Sequence, residues 1–375
     1  MIRVVLVDDE PPARTRMRQL LDAAGDVTVV GEAGSAVEAR EVIQNTRPDL
    51  LFLDVDMPEV RGTALAASLP EPRPFIVFAT AFDQYGLDAI AVEATDYLLK
   101  PVSRLKLAAT LERVRGKLAR QAIDRDIAAA TDVQARMWPG SLPAIPGFEC
   151  AAASLPARGV GGDFYDVFPL AECGGAPDVW ALLLGDASGK GVAAGLVASA
   201  VQARVHTAAT LAHLGPEALM TEVDRDVYAT TDGARYATGI YGTLNVEERK
   251  FTYVNAGHPS MLVTGGIDSI NHLPATGPAL GLIEAGRFAS HTIELSPGCV
   301  LLAYTDGVNE AQNDRDEEFG DGSLTVLLHE TRHQPATKIC ETILQAVRTH
   351  RGSRQDQDDV TVMVLKARGL EGLRA

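Results

Sequence analysis

The chain has 375 residues, of which 46% are hydrophobic and 22% charged, and its formal net charge is −16. Because a typical domain has roughly 100–200 residues, this length predicts two or three domains. The acidity argues against a general nucleic-acid-binding protein, because contacts with phosphate need clusters of Lys and Arg.

Neither a membrane span nor a disulfide framework is expected. No apolar run is long enough to cross a bilayer, and Met1-Ile2-Arg3 opens the chain without a signal-peptide pattern. The four cysteines are scattered and form no CxxC pair: Cys150, Cys173, Cys299 and Cys340. We therefore expect a cytoplasmic protein with reduced thiols and no membrane association.

Residues 1 to about 101 alternate short apolar runs with amphipathic stretches. The predicted strands are IRVVLVD, VTVVGEA, LLFLD, FIVFAT and TDYLLK. Between the first two lies PPARTRMRQLLDAAG, a predicted helix with Pro11 and Pro12 in its first turn and Gly25 as its C-cap. This alternation predicts an α/β fold, a doubly wound five-stranded parallel sheet covered by helices on both faces.

A charged helix is predicted from about residue 103 to Met137, where Trp138-Pro139-Gly140 follows. Its apolar stripe shifts by one residue between two sets of positions. They are Leu107, Leu111, Val114 and Leu118, then Ile123, Ile127, Ala130, Gln134 and Met137. Two interpretations remain open: the stripe packs on its own domain, or it forms a dimerising, signal-relaying coiled coil.

The rest of the chain is rich in predicted strands. They are VWALLLGDASG, YATGIYGTLNVEERKFTYVNAGH, SMLVTGG, CVLLAYTDG and DVTVMVLKA. The predicted helices are GVAAGLVASAVQARVHTAATL, PEALMTEVDRDVYATT and PATKICETILQAVRTHR. Strands in runs with a few helices predict an α+β domain built on a β-sandwich.

The N-terminal domain gathers polar side chains where its predicted strands end: Asp8, Asp9, Asp54, Thr80 and Lys100. Because parallel strands place their carboxyl ends at one edge of the sheet, these groups should lie close together. Clustered carboxylates need a counterion, and oxygen ligands suit Mg²⁺. A lysine in the same place can hold a phosphoryl group, and a carboxylate can accept one.

On these residues, the chain up to about residue 118 resembles a response-regulator receiver domain. The resemblance implies Mg²⁺ held by Asp8, Asp9, Asp54 and the Asp56 carbonyl, and phosphorylation of Asp54 by a histidine kinase. It also implies that Thr80 and Tyr97 are switch residues, that Lys100 contacts the phosphoryl group, and that the Lys100–Pro101 bond is cis. TAFDQYGLDAI resembles the receivers linked to LytTR domains, which hints at a homodimer face.

The C-terminal domain carries a second set of carboxylates, in Gly-flanked turns after apolar strands: Asp163, Asp186, Asp306, Asp358 and Asp359. An Asp-Gly pair alone is usually a turn. Several together, with no His or Cys, favour Mg²⁺ or Mn²⁺ over zinc. Two such ions can clamp a phosphate and activate a water for its hydrolysis.

In their residues and order, these motifs resemble those of the SpoIIE/RsbU-type serine/threonine phosphatases of the PPM (type 2C) class, from about Val133 to Ala367. The resemblance implies two Mn²⁺ or Mg²⁺ ions bridged by Asp186. It assigns the Ala187 carbonyl, Asp306 and Asp358 to ligation, and Asp163 to binding directly or through water. For Asp359, a structural role and ligation stay open.

His258 in NAGHP is a candidate acid, but a turn-stabilising histidine is favoured. The expected organisation is a receiver at 1–118, a helical linker at 119–139 continuing the last receiver helix, and a phosphatase at 140–370. By resemblance, the substrate is a phosphorylated STAS-domain anti-sigma-factor antagonist in partner switching.

The alternative function is a receiver-controlled pseudophosphatase adaptor that binds a sigma-pathway protein without catalysis. A DNA-binding output is disfavoured, since no basic cluster follows the linker.

Overall fold

The computed structural model describes residues 1–81, 94–155, 157, 159–170, 178–211, 214–231, 233–265, 269–354 and 358–369. The chain divides into two compact units, 1–124 and 125–375. The division falls within the predicted linker of 119–139. The segment TAFDQYGLDAI lies almost wholly outside the described residues, so its predicted homodimer face is not described.

The first unit contains a five-stranded, all-parallel sheet of order β2-β1-β3-β4-β5. Its strands are β1 (Ile2–Val7), β2 (Val27–Ala33), β3 (Leu50–Leu53), β4 (Phe75–Thr80) and β5 (Asp96–Leu99). Its described helices are α1 (Pro11–Asp22), α2 (Ala36–Thr46), α3 (Gly62–Ala67) and the start of α4 (Arg104–Met137). The predicted doubly wound sheet is confirmed, and each predicted strand is present.

Both faces of this sheet are buried. Val4, Leu6 and Phe52 pack with α1 and α4 on one face, whereas Val5 and Leu51 pack with α2 and α3 on the other. Successive strand residues point to opposite faces, so continuous apolar runs are what two buried faces require. The prediction of Gly25 as the C-cap of α1 was wrong, because the helix ends at Asp22 and Ala23 is its C-cap.

Helix α4 is continuous from Arg104 to Met137, which confirms the predicted long helix. Leu107, Leu111 and Val114 are buried in the core of the first unit. Towards its end, a Cβ placed on Gly159 would lie 2.9 Å from Ile127, and Gln134 is buried in the second unit. Leu107, Leu111 and Val114 thus pack within the first unit, and Ile127 and Gln134 pack within the second. Ile123 and Met137 of the predicted stripe are exposed.

The second unit contains two five-stranded sheets, of orders β13-β10-β9-β8-β7 and β12-β11-β14-β15-β6. The strands of the first are β7 (Asp163–Pro169), β8 (Val179–Ala187), β9 (Ala237–Asn245), β10 (Lys250–Ala256) and β13 (His291–Glu294). Those of the second are β6 (Phe148–Leu155), β11 (Met261–Thr264), β12 (Ile270–Leu273), β14 (Val300–Tyr304) and β15 (Val360–Ala367). All the pairings are antiparallel.

The two sheets face each other across one core, in which Leu182 and Ile240 meet Leu301 and Met363. Helices α5 (Val192–Leu211) and α6 (Pro216–Thr231) cover the outer face of the first sheet. Helices α8 (Gly320–Thr331) and α9 (Ala336–Arg351) cover that of the second, and α7 (Asp306–Asn309) is a single turn. The predicted α+β sandwich is confirmed. Among the described helices, none is long and apolar enough to span a membrane.

Candidate functional sites

Asp8, Asp9 and Asp54 converge at the carboxyl edge of the first sheet. One carboxylate oxygen from each lies within 4.8 Å of the others, a spacing that a metal ion can bridge. Lys100 Nζ lies 2.7 Å from Asp54 Oδ2 and 2.7 Å from Asp8 Oδ2. The structure thus brings together four of the predicted receiver residues around one point.

The chain turns tightly after β3 to present Asp54. The Asp54 amide donates to the Val7 carbonyl, and the Asp56 amide lies 3.4 Å from Asp54 Oδ1. A Cβ at Gly62 would lie 2.0 Å from the Asp54 carbonyl oxygen, so only glycine fits there. Asp56, predicted to offer its backbone carbonyl, lies in this same turn.

Burial dominates the electrostatics of the cluster. Burial raises the pKa of Asp54, and the charge of Asp8 raises it further. The hydrogen bond from Lys100 and its charge lower this pKa, but the net shift is upward. Burial lowers the pKa of Lys100, but its hydrogen bonds to Asp54 and Asp8 outweigh this and raise it overall. Lys100 therefore stays charged between two carboxylates, and the oxygen donors fit Mg²⁺.

The predicted switch residues lie on neighbouring strands. Thr80 is the last residue of β4 and is fully buried, whereas Tyr97 on β5 is half-buried against the core. The Lys100 amide donates to the Thr80 carbonyl, which ties the two strand ends together. The Lys100–Pro101 bond is cis, as predicted.

In the second unit, strand pairing and one helical turn gather the predicted carboxylates. Asp163 begins β7 and faces Asp186 of β8 in register. Asp306 is the first residue of α7, which follows β14, and Asp358 precedes β15. Lys190 Nζ lies 3.1 Å from Asp358 Oδ2. Within the described ranges only Asp8, Asp9 and Asp54 form a group of three with ligand oxygens within 4.8 Å, so no three of these four carboxylates lie that close together.

Three of these carboxyls have raised pKa values. Burial, then the charge of Asp186, raises the pKa of Asp163 well above its usual range. Burial followed by the charges of Asp306 and Asp358 raises the pKa of Asp186 to about 7. Burial and Asp358 likewise raise the pKa of Asp306. Because buried like charges repel, such a donor set fits divalent cations that prefer oxygen ligands.

Hydroxyl groups orient the most buried of these side chains. Asp163 Oδ2 accepts hydrogen bonds from Thr305 Oγ1 at 2.8 Å and from Thr361 Oγ1 at 2.5 Å. Thr305 also precedes Asp306, so one short segment supplies both a carboxylate and the hydroxyl that positions another. Neither threonine was singled out from the sequence.

Asp359 has a structural role here. Its two carboxylate oxygens accept hydrogen bonds from the Ala157 and Gly162 amides, each at 2.8 Å. Asp359 therefore fixes the backbone just before Asp163, and the Ala187 amide in turn donates to the Gly162 carbonyl. A Cβ at Gly162 would lie 2.8 Å from the Ala187 carbonyl oxygen, which places this predicted ligand beside the loop.

Sequence reasoning missed Arg351, the last residue of α9, which is 3% exposed. Its Nη1 donates to the Asp358 carbonyl at 3.1 Å and its Nη2 to the Gly307 carbonyl at 3.0 Å. One guanidinium thus holds the two backbone segments that carry Asp358 and Asp306. The sequence pattern that could have indicated its burial is the i+4 spacing by which Arg351 continues the apolar stripe of Ile343 and Val347.

His258 is buried, which lowers its pKa to about 3. Its Nδ1 lies 2.8 Å from Thr238 Oγ1, and its backbone amide donates to Asn255 Oδ1. A ring with this pKa is neutral at pH 7 and holds no proton to give as an imidazolium. The geometry agrees with the turn-stabilising interpretation.

Two family models match the chain. Residues 176–368 match that of Stage II sporulation protein E (SpoIIE), and residues 4–112 match the response regulator receiver domain. Among curated proteins, the transcriptional regulatory protein BtsR of Salmonella typhi is 48% identical over 122 residues. The matched region is 32% of this chain and 51% of that protein, so the chain spans about half the length of the curated relatives it matches.

Solved structures resemble the second unit. The SiaA-PP2C domain of Pseudomonas aeruginosa has a TM-score of 0.57 at 19% identity, covering 66% of this chain and 98% of that one. The RsbU and RsbW domains of Rv1364c from Mycobacterium tuberculosis have a TM-score of 0.54 at 27% identity, covering 62% and 63%. The PP2C phosphatase domain of SpoIIE from Bacillus subtilis has a TM-score of 0.52 at 16% identity, covering 59% and 62%.

Proposed function

Because this chain belongs to the SpoIIE family and carries a receiver domain, we propose that it is a response regulator with phosphatase output. Phosphorylation of Asp54 would control a metal-dependent phosphoserine/phosphothreonine protein phosphatase. The observation that supports the proposal is the electrostatic interaction among buried, oxygen-only side chains: the charge of Asp186 raises the pKa of Asp163, and the charge of Asp358 raises the pKa of Asp186 and of Asp306.

In the phosphatase unit, Asp186, the Ala187 carbonyl, Asp306 and Asp358 would hold two Mn²⁺ or Mg²⁺ ions. Bound cations would supply charge neutralisation, phosphate binding and an activated water. Thr305 and Thr361 orient Asp163. Hydrolysis forms a bond from water oxygen to phosphorus and breaks the bond to the seryl or threonyl oxygen, which leaves with a proton.

In the receiver unit, Asp54 would accept the phosphoryl group from a histidine kinase. Asp8, Asp9 and the Asp56 carbonyl would hold Mg²⁺, and Lys100 is already placed against Asp54. A phosphoryl group on Asp54 brings negative charge and acceptor oxygens next to Lys100. Thr80 and Tyr97 would then reorient, and α4 would carry the change to the phosphatase.

The proposed substrate is a phosphorylated STAS-domain anti-sigma-factor antagonist. Support comes from the SpoIIE family match and from the similarity to the RsbU and RsbW domains of Rv1364c. A homodimer through α4 is part of the proposal, since Ile123, Val133 and Met137 are exposed on that helix. The pseudophosphatase adaptor is less favoured, because the chain retains its full set of candidate metal-binding carboxylates.

The test is hydrolysis of a phosphothreonine peptide by the full chain with Mn²⁺. We expect release of phosphate by the wild type, loss with EDTA, and loss of at least ~100-fold in Asp186→Asn, in line with removing electrostatic stabilisation. Asp226→Asn, an exposed aspartate on α6, is the matched control and should keep the wild-type rate. A wild type that hydrolyses neither this peptide nor a phosphorylated STAS protein would favour the adaptor.

A further inference from the structure

Lys190 lies beside the candidate metal site of the second unit. Its Nζ is 3.1 Å from Asp358 Oδ2. Burial and the charge of Asp358 raise the pKa of Asp306, and the charge of Lys190 lowers it. The lysine side chain is 68% exposed. The ammonium group therefore faces two of the candidate ligands from the solvent side.

Two glycines shape the loop that carries Lys190. Gly189 and Gly191 have φ values of +95° and +72°, in the left-handed region that other residues rarely adopt. Asp186 and Ala187 are the last two residues of β8, directly before this loop. The turn after β8 therefore keeps Lys190 close to the strand end that carries further candidate ligands.

Two residues that precede β9 hold this loop in place. The Ser188 amide donates to the Tyr236 carbonyl at 2.8 Å, and the Tyr236 amide donates to Ser188 Oγ at 3.1 Å. Arg235 Nη1 donates to the Ser188 carbonyl at 3.3 Å, and a Cβ on Gly189 would lie 2.4 Å from the same nitrogen. The loop is thus paired to a neighbouring backbone and covered by a guanidinium group, which adds a second positive charge next to it.

The charges of the site favour a further cation for binding phosphate. The candidate ligands include four carboxylates, those of Asp163, Asp186, Asp306 and Asp358. Two divalent cations would balance these negative charges without any excess. Burial and then the charges of Asp306 and Asp358 raise the pKa of Glu310, so another carboxyl group lies nearby. A phosphate monoester carries a charge of roughly −1.5 to −2 at pH 7. It gains no net attraction from a balanced site, and a lysine at the mouth would supply it.

On the basis of the proposed function, we propose that Lys190 is a substrate-binding residue whose ammonium group contacts a non-bridging oxygen of the phosphoryl group in phosphoserine or phosphothreonine. A lysine ammonium is a compact charge with three donors on a flexible stem, so it can exchange Asp358 for a phosphate oxygen. Hydrogen bonds between charged groups are among the strong ones. An exposed ion pair that serves structure alone contributes little, so phosphate binding separates the two roles.

The test is binding of radiolabelled inorganic phosphate to the full chain with Mn²⁺, measured by equilibrium dialysis. An Asp54→Ala background in every sample limits binding at the receiver cluster. Lys190→Met removes the charge and keeps the length of the side chain, whereas Lys190→Arg keeps the charge. Lys338→Met is the matched control, because Lys338 is also exposed and lies 3.2 Å from a carboxylate oxygen of Glu341.

We expect Lys190→Met to bind inorganic phosphate at least ~10-fold more weakly than the Asp54→Ala parent chain, since a hydrogen bond between charged groups is lost. Lys190→Arg should keep most of the affinity, and Lys338→Met should match the parent. In steady-state hydrolysis of a phosphothreonine peptide, Lys190→Met should raise KM at least ~10-fold and leave kcat within ~3-fold, as expected when uniform binding is removed.

A phosphate affinity of Lys190→Met within two-fold of the parent would overturn the inference, and so would a parent chain that binds no phosphate. Phosphate binding is read without peptide turnover, so the outcome is separate from that of the proposed function. A chain that binds phosphate through Lys190 and hydrolyses no phosphopeptide would support this inference and contradict the proposed function.

Discussion

Lys100 and Asp54 form an ion pair of 2.7 Å at the edge of the receiver sheet, and both side chains are largely buried. The same ammonium group contacts Asp8, so a single cation offsets two carboxylates. In the absence of this cation, the two buried carboxylates would face each other with their repulsion uncompensated.

We predict that Lys100→Met lowers phosphorylation of Asp54 at least ~10-fold, since a hydrogen bond to a charged group contributes about 1.5–3 kcal/mol. The measurement is the fraction of chain that gains one phosphoryl mass after treatment with phosphoramidate and Mg²⁺. Lys106→Met, at an exposed position on α4, should match the wild type. Equal labelling of Lys100→Met and wild type would contradict the role given to Lys100.

His258 should make the phosphatase unit less stable in mild acid. Its pKa is about 3 when folded, because the ring is buried, and about 6.5 when unfolded. The unfolded state therefore binds more protons between these values, and stability falls as the pH drops below about 6.5. For one proton the slope is ~1.4 kcal/mol per pH unit, or about 2 kcal/mol from pH 7 to pH 5.

The measurement compares the free energy of unfolding of wild type and His258→Asn across this pH range in EDTA. The difference between them should shrink by about 2 kcal/mol towards pH 5, since other groups titrate equally in both. His333→Asn, at an exposed position, should run parallel to the wild type. Parallel curves for His258→Asn would show that the ring is not held neutral.

Gly307 should not tolerate any side chain. A Cβ there would lie 1.8 Å from the Asp359 carbonyl oxygen, and backbone cannot move aside as a flexible side chain can. Gly307→Ala should lower the free energy of unfolding by about 2–3 kcal/mol and displace Asp306. Gly322→Ala on α8 meets nothing within 4 Å and should be neutral or stabilise by up to ~1 kcal/mol. Equal thermal midpoints for the two variants would contradict this packing.

Arg351 should matter for its geometry beyond its charge. Lysine keeps the charge, but its single ammonium group cannot reproduce the planar fork that reaches the Asp358 and Gly307 carbonyls together. Arg351→Lys should lose about 1–3 kcal/mol of stability, and weaken phosphopeptide hydrolysis at low Mn²⁺. Arg348→Lys, exposed on the same helix, should behave as wild type in both assays. Wild-type phosphopeptide hydrolysis by Arg351→Lys at low Mn²⁺ would show that Arg351 does not position the site.

The parallel sheet was predictable because its strands are continuous apolar runs such as Leu50–Leu53, with buried residues on both faces. Strands β6 and β7 were not among the predicted ones. In β6 alanine replaces the branched residues that mark strands, and β7 interrupts its apolar positions with Asp163 and Asp166. Their strand state comes from pairing with β15 and β8, which a local pattern does not reveal.

Most carboxylates of the two sites were predictable because they lie at or beside the end of an apolar strand, as Asp54 does after β3 and Asp306 after β14. The side chains that position them were harder to identify. Gln134 looked like a polar member of an apolar helical stripe, and Asp359 like a further metal ligand or a structural residue. Their roles depend on contacts with Gly161 and Gly162, which lie far from Asp359 in sequence. The spacing of residues along the chain does not indicate which distant residues become hydrogen-bond partners.

The central claim is that the state of Asp54 sets the activity of the phosphatase unit. Its most direct test is the initial rate of phosphopeptide hydrolysis before and after beryllofluoride treatment, in the wild type and in Asp54→Ala. We predict a change of at least ~5-fold in the wild type, the lower end of usual coupling free energies, and none in Asp54→Ala. Equal rates in the treated and untreated wild type, with beryllofluoride shown to occupy Asp54, would contradict the account.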